Sequence, residues 1–136
     1  MIQTHQSEMS GRRVLVTGAG SGIGRATALA LAAASAKVVV SDISEAGGAE
    51  TVQLVHDAGG EAFFIRTDVS RPEEVEAMVA GAVAEYGALD CAVNNAGIGG
   101  DLADTVNYPL EGWHRLLDIN LTGVWLCMRS EIAQML

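Results

Sequence analysis

Short apolar runs alternate along the chain with longer stretches in which apolar residues recur every three or four positions. The short runs have the length of β-strands, and the longer stretches have the period of amphipathic helices. Most of the short runs are apolar at nearly every position, which is typical of strands covered by helices on both faces. The chain is therefore predicted to be an α/β protein with a doubly wound parallel sheet, right-handed crossovers and the strand order 3-2-1-4. Strands are predicted at residues 13–17, 37–41, 62–67 and 89–94, and helices at residues 22–35, at 45–58, from Pro72 to Gly87 and from about Leu110 to the end.

Two of these helices carry signals about their ends and faces. Ser70 and Glu73 have the spacing of a capping box, and Pro72 suits a first helical turn. Ser70 is therefore predicted to cap the third helix, and Gly87 to end it. The last helix is predicted to carry an apolar face formed by Trp113, Leu117, Val124, Met128 and Ile132.

Composition and charge exclude several classes of protein. The 136 residues suffice for one domain, predicted over residues 12–136 behind a polar tail at residues 1–11. The net charge of -9 and the lack of a basic stripe argue against a nucleic-acid partner. No apolar run reaches the roughly 20 residues that span a bilayer, so the protein is predicted to be soluble and cytoplasmic, with no membrane partner. Cys91 and Cys127 are interpreted as buried apolar residues, and the three scattered histidines predict no metal site.

A turn rich in glycine follows the first strand directly and leads into the first helix. It reads Thr-Gly-Ala-Gly-Ser-Gly-Ile-Gly from Thr17 to Gly24. Glycine permits a tight turn and lets backbone N–H groups approach a pyrophosphate, and at Gly24 it allows the helix to lie close to the sheet. The start of the helix adds partial positive charge. The turn is therefore predicted to bind the pyrophosphate of a dinucleotide.

The other strands also end in residues suited to a nucleotide. Asp42 follows the second strand, where the hydroxyls of an adenosine ribose would donate hydrogen bonds to it. A carboxylate there repels a 2′-phosphate by up to roughly 4 kcal/mol at about 4 Å, which favours NAD over NADP. Asp68 ends the third strand, and the small residues Ala96 and Gly97 after the fourth allow a flat ring and its ribose to come close. The alternatives are that Asp42 only caps the second helix, in competition with Ser44, and that Asp68 is a plain turn residue.

The sequence resembles the short-chain dehydrogenase/reductase family over nearly its whole length. The glycine turn matches the family pattern T-G-x-x-x-G-x-G, and residues 94–97 match its N-N-A-G motif. The resemblance implies a Rossmann-like fold and an oxidoreductase that transfers a hydride between NAD(P)(H) and an alcohol or carbonyl. The residues implied to bind the cofactor are Gly18, Ser21, Gly22, Ile23, Gly24, Asp42, Ile43, Asp68, Val69, Asn95, Ala96 and Gly97.

The resemblance also assigns individual roles. It implies that Asp68 contacts the adenine ring and that Val69 packs beside it. Family members that prefer NADP tend to carry a basic residue at the places of Ser21 and Ile43, so the resemblance implies NAD. Asn120 matches the asparagine of the catalytic tetrad, which holds a water in a proton relay. Its alternative is an ordinary polar residue inside the last helix.

The sequence departs from the family pattern downstream. Members continue with a fifth strand that carries a catalytic Ser and a helix that carries Tyr-x-x-x-Lys. Here the residues four positions after Tyr86 and Tyr108 are Asp90 and Gly112, and the only lysine is Lys37. We therefore expect a Rossmann domain that is truncated after its fourth strand and following helix, and a 136-residue chain that is inactive alone.

Three functional interpretations stay open. The first is the N-terminal portion of a dehydrogenase/reductase that acts, when completed, on a small-molecule alcohol or ketone and assembles as a homo-oligomer like its relatives. The second is a non-catalytic nucleotide-binding or pairing module. The third is a truncated product that does not fold stably alone. A Ser followed by Tyr-x-x-x-Lys, encoded in frame downstream of Leu136, would decide for the first.

Overall fold

A four-stranded parallel sheet forms the centre of the computed structural model, which describes residues 7–136. The strands are Arg13–Thr17 (β1), Lys37–Asp42 (β2), Glu61–Arg66 (β3) and Cys91–Asn94 (β4). Their order is β3-β2-β1-β4, with every neighbouring pair parallel. The predicted class, pairing and strand order are therefore confirmed.

The helices of the first three crossovers lie where the apolar periodicity predicts them. They are followed by a last helical segment that differs from the prediction, because it is divided by a π-helical turn at Asp118–Thr122. The α-helices are Gly22–Ala33 (α1), Glu45–Asp57 (α2), Pro72–Tyr86 (α3), Leu110–Leu117 (α4) and Gly123–Met135 (α5).

The core consists of one apolar layer on each face of the sheet. Successive strand residues point to opposite faces, so Val14 and Val16 pack with α1 and α2, whereas Leu15 between them packs with α3 and α5. The same alternation divides β2, where Val39 joins the layer of Leu15. All these side chains are almost fully buried. The near-continuous apolar strands therefore result from helices on both faces, as predicted.

The predicted capping box of α3 is wrong. The helix begins at Pro72 after Arg71, and no side chain caps it. Ser70 instead donates its hydroxyl hydrogen to Asp68 Oδ1 at 2.6 Å, and its backbone N–H donates to the same oxygen at 3.0 Å. Asp68 holds Ser70 in a local turn, and the residue before the first helical position is Arg71, one residue later than the capping box requires.

The predicted apolar face of the last helix is also wrong. α5 buries Gly123, Leu126, Cys127 and Glu131 instead, while Met128 and Ile132 are exposed. A π-helical turn accommodates an extra residue, and it therefore rotates the residues that follow relative to an unbroken α-helix. Residues before and after the π-helical turn consequently lie on different faces, and the single apolar face that periodicity predicts across residues 110–136 does not form.

The start of the chain and of β4 differ in small ways from the predictions. Residues 1–6 of the predicted polar tail lie outside the described residues, and Gly11 N–H donates to Ser35 O at 2.9 Å. β4 begins at Cys91 rather than at residue 89, because Asp90 turns its carboxylate to Arg13. Among residues 7–136, no helix combines the length and apolar character needed to cross a bilayer.

Candidate dinucleotide-binding site

A cavity of about 150 Å³ opens at the carboxyl edge of the sheet, where the ends of all four strands meet. Parallel strands of an α/β sheet present their ligand sites at this edge. The cavity lining includes seven of the twelve residues predicted to bind a cofactor: Gly18, Asp42, Ile43, Asp68, Val69, Ala96 and Gly97. The other five lie in the glycine turn, at the start of α1 or just after β4.

The glycine turn has no room for side chains at its tightest points. Gly18 has a φ of +64°, and a Cβ there would lie 2.8 Å from Ala96 Cα and 2.9 Å from Asn95 Nδ2. A Cβ at Gly24 would collide with Gly18 O. The turn is therefore packed backbone against backbone between β1, α1 and the end of β4, and only glycine fits at these two positions.

The start of α1 is open to solvent beside this turn. Ser21 stands before the first helical residue in an extended conformation and makes no side-chain cap. Ser21, Gly22 and Ile23 are exposed, and the N–H groups of a first helical turn have no partners within the helix. This arrangement has the geometry of an anion site.

Asp42 connects β2 to the glycine turn. Its Oδ2 accepts a hydrogen bond from Gly20 N–H at 2.8 Å, and its Oδ1 accepts one from Ser44 N–H at 2.9 Å. Ser44, and not Asp42, caps α2, because its hydroxyl oxygen accepts from Gly47 N–H at 3.1 Å. Each carboxylate oxygen of Asp42 keeps a further lone pair for a ligand donor.

Residues after β4 are bonded to the end of β1. Asn95 Nδ2 donates to Thr17 O at 3.1 Å and to Gly18 O at 3.2 Å. The hydroxyl oxygen of Thr17 accepts from the N–H groups of both Asn95 and Ala96 at 3.1 Å. These four bonds hold the Asn95–Ala96 backbone against the glycine turn.

Asn94 points to the helical layer instead of the cavity. Its Nδ2 donates to Glu131 Oε2 at 2.8 Å. Glu131 is 3% exposed, and burial raises the pKa of its carboxyl although the bond from Asn94 opposes the shift. Among residues 7–136, Asn94 Oδ1 and Glu131 Oε1 are buried and have no hydrogen-bond partner.

Asn120 lies in the π-helical turn and is bonded to the loop after β4. Its Oδ1 accepts from Ile98 N–H at 2.8 Å, and its Nδ2 donates to Ile98 O at 2.9 Å. The side-chain amide thus pairs with both backbone groups of one residue. It brings Asn120 next to Gly97, whose added Cβ would lie 3.2 Å from Asn120 Oδ1.

Asp68 is a turn residue that also lines the cavity. Its carboxylate accepts the local bonds from Ser70 described above, as a turn residue does, and it also lines the cavity beside Val69. Its backbone N–H donates to Glu74 Oε2 at 2.7 Å. The end of β3 is therefore held by the first turn of α3.

A tyrosine and the lysine approach each other, but at the opposite edge of the sheet. Lys37 Nζ lies 5.6 Å from the centre of the Tyr86 ring and 3.7 Å from Glu61. Burial, with Glu61 and Glu85 nearby, raises the pKa of Tyr86 to about 12. This pair lies at the amino end of β2, so it is not available to a ligand at the carboxyl edge.

Two residues behind the glycine turn were not predicted. Arg25 of α1 and Thr51 of α2 bind the carbonyl oxygens of Gly20 and Ala19 at 2.6 and 2.8 Å. No spacing in the sequence links them, since they lie in two different helices. Among residues 7–136, no cluster of three His, Cys, Asp or Glu side chains could hold a metal ion.

Comparison with known proteins gives consistent matches over this region. The sequence profile of the short chain dehydrogenase family matches residues 12–136. The chain is 44% identical over 129 residues to a short chain dehydrogenase/reductase, astE, of Aspergillus oryzae, covering 94% of this chain and 49% of the relative. It is 42% identical over 130 residues to 2,5-dichloro-2,5-cyclohexadiene-1,4-diol dehydrogenase of Sphingobium indicum, covering 96% and 51%.

Solved structures agree with the sequence matches. A short-chain type dehydrogenase/reductase from Mycobacterium marinum superposes with a TM-score of 0.91 at 37% identity, covering 96% of this chain and 52% of that one. A xylitol dehydrogenase bound to NAD+ gives a TM-score of 0.91 at 34% identity, covering 94% and 49%. The chain spans about half the length of the relatives it matches.

Proposed function

The chain belongs to the short chain dehydrogenase family, and we propose that it forms the cofactor-binding part of an oxidoreductase that transfers a hydride between NAD(H) and an alcohol or carbonyl substrate. Its relatives include enzymes named as dehydrogenases of a cyclic diol and of xylitol, both of which carry secondary alcohols. A small-molecule alcohol or ketone is accordingly the proposed substrate class.

The observation that carries this proposal is the cradle at the carboxyl edge of the sheet. Gly18, which packs so closely against Ala96 that only glycine fits, lines this cavity together with Asp42, Asp68 and Val69. A flat base and a ribose fit such a narrow, mostly apolar cleft, while the exposed first turn of α1 fits a pyrophosphate. The residues present therefore suit a dinucleotide.

Each part of the site has a proposed task toward NAD(H), which when bound supplies the atom that gives or accepts the hydride. Ser21, Gly22 and Ile23 bind the pyrophosphate through backbone N–H groups at the start of α1. Asp68 and Val69 contact the adenine, and the Asn95–Gly97 segment leaves space for the second ribose. Asn120 holds a water with the hydrogen-bonding capacity that its amide keeps beyond Ile98.

Preference for NAD over NADP is proposed to come from Asp42. The carboxylate is held by Gly20 N–H and Ser44 N–H. A 2′-phosphate about 4 Å from this charge would be disfavoured by up to roughly 4 kcal/mol. Ile43, the next residue, is exposed and carries no charge that would offset the repulsion.

Assembly as a homo-oligomer is also proposed. Three large apolar side chains of α5, Trp125, Met128 and Ile132, are between 41% and 52% exposed. Contiguous exposed apolar side chains of this kind mark surfaces that bind other protein.

The test is a titration of the protein with NADH and NADPH, followed by cofactor fluorescence. We expect NADH to bind at least about tenfold more tightly, a difference of about 1.4 kcal/mol. The Asp42→Ala substitution is expected to lower the ratio of NADH affinity to NADPH affinity. Asp57→Ala, which removes an exposed charge at the far end of α2, is the control and leaves the ratio unchanged. Tighter binding of NADPH by the unmodified protein would overturn the assignment.

A further inference from the structure

Two side chains behind the glycine turn hold its carbonyl groups away from the cavity. Thr51, on α2, is fully buried, and its hydroxyl donor lies 2.8 Å from Ala19 O. Arg25, on α1, places Nη2 2.6 Å from Gly20 O and Nε 3.0 Å from the Thr51 hydroxyl oxygen. The two side chains therefore form one hydrogen-bonded unit with two successive carbonyls of the turn.

Peptide geometry converts this rear contact into an effect on the front of the turn. In a planar trans peptide the carbonyl and the N–H of the next residue point in opposite directions. Holding Ala19 O toward Thr51 therefore turns the Gly20 N–H the other way, where it donates to Asp42 Oδ2 at 2.8 Å. Holding Gly20 O toward Arg25 likewise turns the Ser21 N–H toward the exposed start of α1.

The contacts around Thr51 favour its hydrogen bond to the glycine turn over a hydrogen bond within α2. A helical threonine commonly bonds the carbonyl four residues earlier, and Gly47 O is available to Thr51 at 3.1 Å. Ala19 O, 32 positions away in sequence, is nearer. A Cβ at Gly47 would lie 2.7 Å from Gly20 O, so this glycine lets α2 approach the turn.

The charge of Arg25 is balanced within the same unit. Glu50 Oε2 lies 2.7 Å from Arg25 Nη2. The guanidinium therefore contributes donors to the turn while its charge is paired with Glu50. A nearby carboxylate partner weakens the attraction of an arginine for a 2′-phosphate.

We propose that Thr51 and Arg25 are positioning residues for cofactor choice: they fix the Ala19–Gly20 and Gly20–Ser21 peptides so that Asp42 is held where it discriminates NAD from NADP. The proposal rests on the proposed NAD(H)-dependent function. It assigns the discrimination to Asp42, Thr51 and Arg25 together, and of these three only Asp42 faces the ribose. Thr51 acts from α2 without touching the cofactor.

The test compares Thr51→Val, which removes the hydroxyl at nearly constant volume, with Thr51→Ser, which keeps it. We expect Thr51→Val to reduce the NADH-to-NADPH affinity ratio by about five- to tenfold, as the loss of one buried hydrogen bond implies. Thr51→Ser keeps most of the ratio. A general loss of folded protein would weaken the binding of NADH and of NADPH equally, and would leave the ratio of their affinities unchanged.

A double-mutant comparison identifies Asp42 as the route of the effect. Adding Thr51→Val to Asp42→Ala is expected to leave the ratio of Asp42→Ala unchanged. An equal effect of Thr51→Val with and without Asp42, or an unchanged ratio in Thr51→Val alone, would overturn the proposal.

A second readout needs no cofactor. Amide hydrogen exchange at Gly20 is expected to become about tenfold faster in Thr51→Val and not in Thr51→Ser. Unchanged Gly20 protection in Thr51→Val would refute the positioning role. Failure of the proposed function is distinct, because the unmodified protein would then bind neither nucleotide or would prefer NADPH, whatever the Gly20 amide does.

Discussion

The two sides of the cleft differ in how many large apolar side chains they leave exposed. The side proposed to bind the adenosine, called the adenosine side, consists of β2, β3, α2 and the glycine turn. Asp42, Ser44, Thr51 and Arg25 all have hydrogen-bond partners there. The β4 side consists of β4, α4, the π-helical turn and α5. All four residues of β4 are only half-buried, and α5 carries exposed apolar side chains.

Both sides end in an edge strand, yet the edges are unlike. At β3, Phe63 packs edge-to-face on Tyr86 at 5.0 Å, and the ring of Phe64 fills the space in front of Gly48. At β4, all four strand residues are only half-buried. Buried polar atoms without a partner among residues 7–136 occur on both sides, at Ser41 and Thr67 as well as at Asn94 and Glu131. The difference teaches that the β4 side leaves more large apolar side chains exposed than the side proposed to bind the adenosine.

The largest expected effect is on catalysis. The amide side chains expected near the reacting end, those of Asn95 and Asn120, do not titrate near neutral pH. General acid–base help is typically worth about 10² to 10⁴ in rate, so we expect the 136-residue chain to bind NAD(H) weakly and to turn over no alcohol or ketone. NADH absorbance with a panel of secondary alcohols and ketones measures this. Ordinary turnover, abolished by Asn120→Ala, would show that the β4 side supplies a catalytic group after all.

A pair of glycine substitutions contrasts the two sides directly. Gly24→Ala places a methyl group against Gly18 O, whereas a Cβ at Gly99, in the loop after β4, meets nothing within 4 Å. Overpacking costs about 1–3 kcal/mol, so we expect Gly24→Ala to weaken NADH binding by tenfold to hundredfold and to lower the midpoint of thermal unfolding. Gly99→Ala is the matched control, and equal effects of the two substitutions would remove the contrast.

Exposure on the β4 side predicts self-association of the 136-residue chain. Burying one large apolar side chain contributes roughly 1.5–3 kcal/mol, and an unpaired strand edge is a template for association. We expect sedimentation to detect oligomers or a loosely packed species, and Ile132→Glu to shift the distribution toward monomer. Leu54→Glu, an exposed leucine on the adenosine side, is the control. A dilute monomer with one sharp unfolding transition would contradict the expectation.

The smallest expected effect is on the pH dependence of the free energy of unfolding, to which the carboxyl groups of Glu131 and Asp90, both next to β4, contribute with opposite sign. Burial raises the pKa of Glu131 in the folded protein, so the free energy of unfolding falls as pH rises above 4.5, its ordinary value. Hydrogen bonds from Arg13 lower the pKa of Asp90 from 3.8 to about 2, so stability is lost as pH falls through that range.

Two substitutions test separately the loss of stability above pH 4.5 and the loss of stability below pH 3.8. Glu131→Gln is expected to flatten the limb above pH 4.5, with an effect on the order of 1 kcal/mol at pH 7. Asp90→Asn is expected to flatten the limb below pH 3.8 and to lower stability at neutral pH. Urea unfolding between pH 2 and 8 measures both. A Glu131→Gln profile parallel to that of the unmodified protein would mean that the carboxyl titrates as if exposed.

The sequence by itself determined the class of fold and the location of the proposed nucleotide site. Apolar runs and helical periods are local patterns, and they place β1–β3 and α1–α3 within one or two residues of their observed bounds. The glycine turn and the N-N-A-G motif are equally local, because backbone conformation and small size are properties of the residues themselves. The right-handed crossover then brings these segments to one edge of the sheet.

Only the tertiary structure decided which side chains serve the site from behind and how the last helix faces the core. Asn95 bonds the turn from 77 and 78 positions away, and Thr51 bonds Ala19 from 32 positions away. The pairing of Asn120 with Ile98 accompanies a π-helical turn that no periodicity signals, and this turn changes the buried face of α5. Such contacts depend on distances between elements after packing, and these are set by the whole fold, whereas periodicity and motif spacing report only neighbours along the chain.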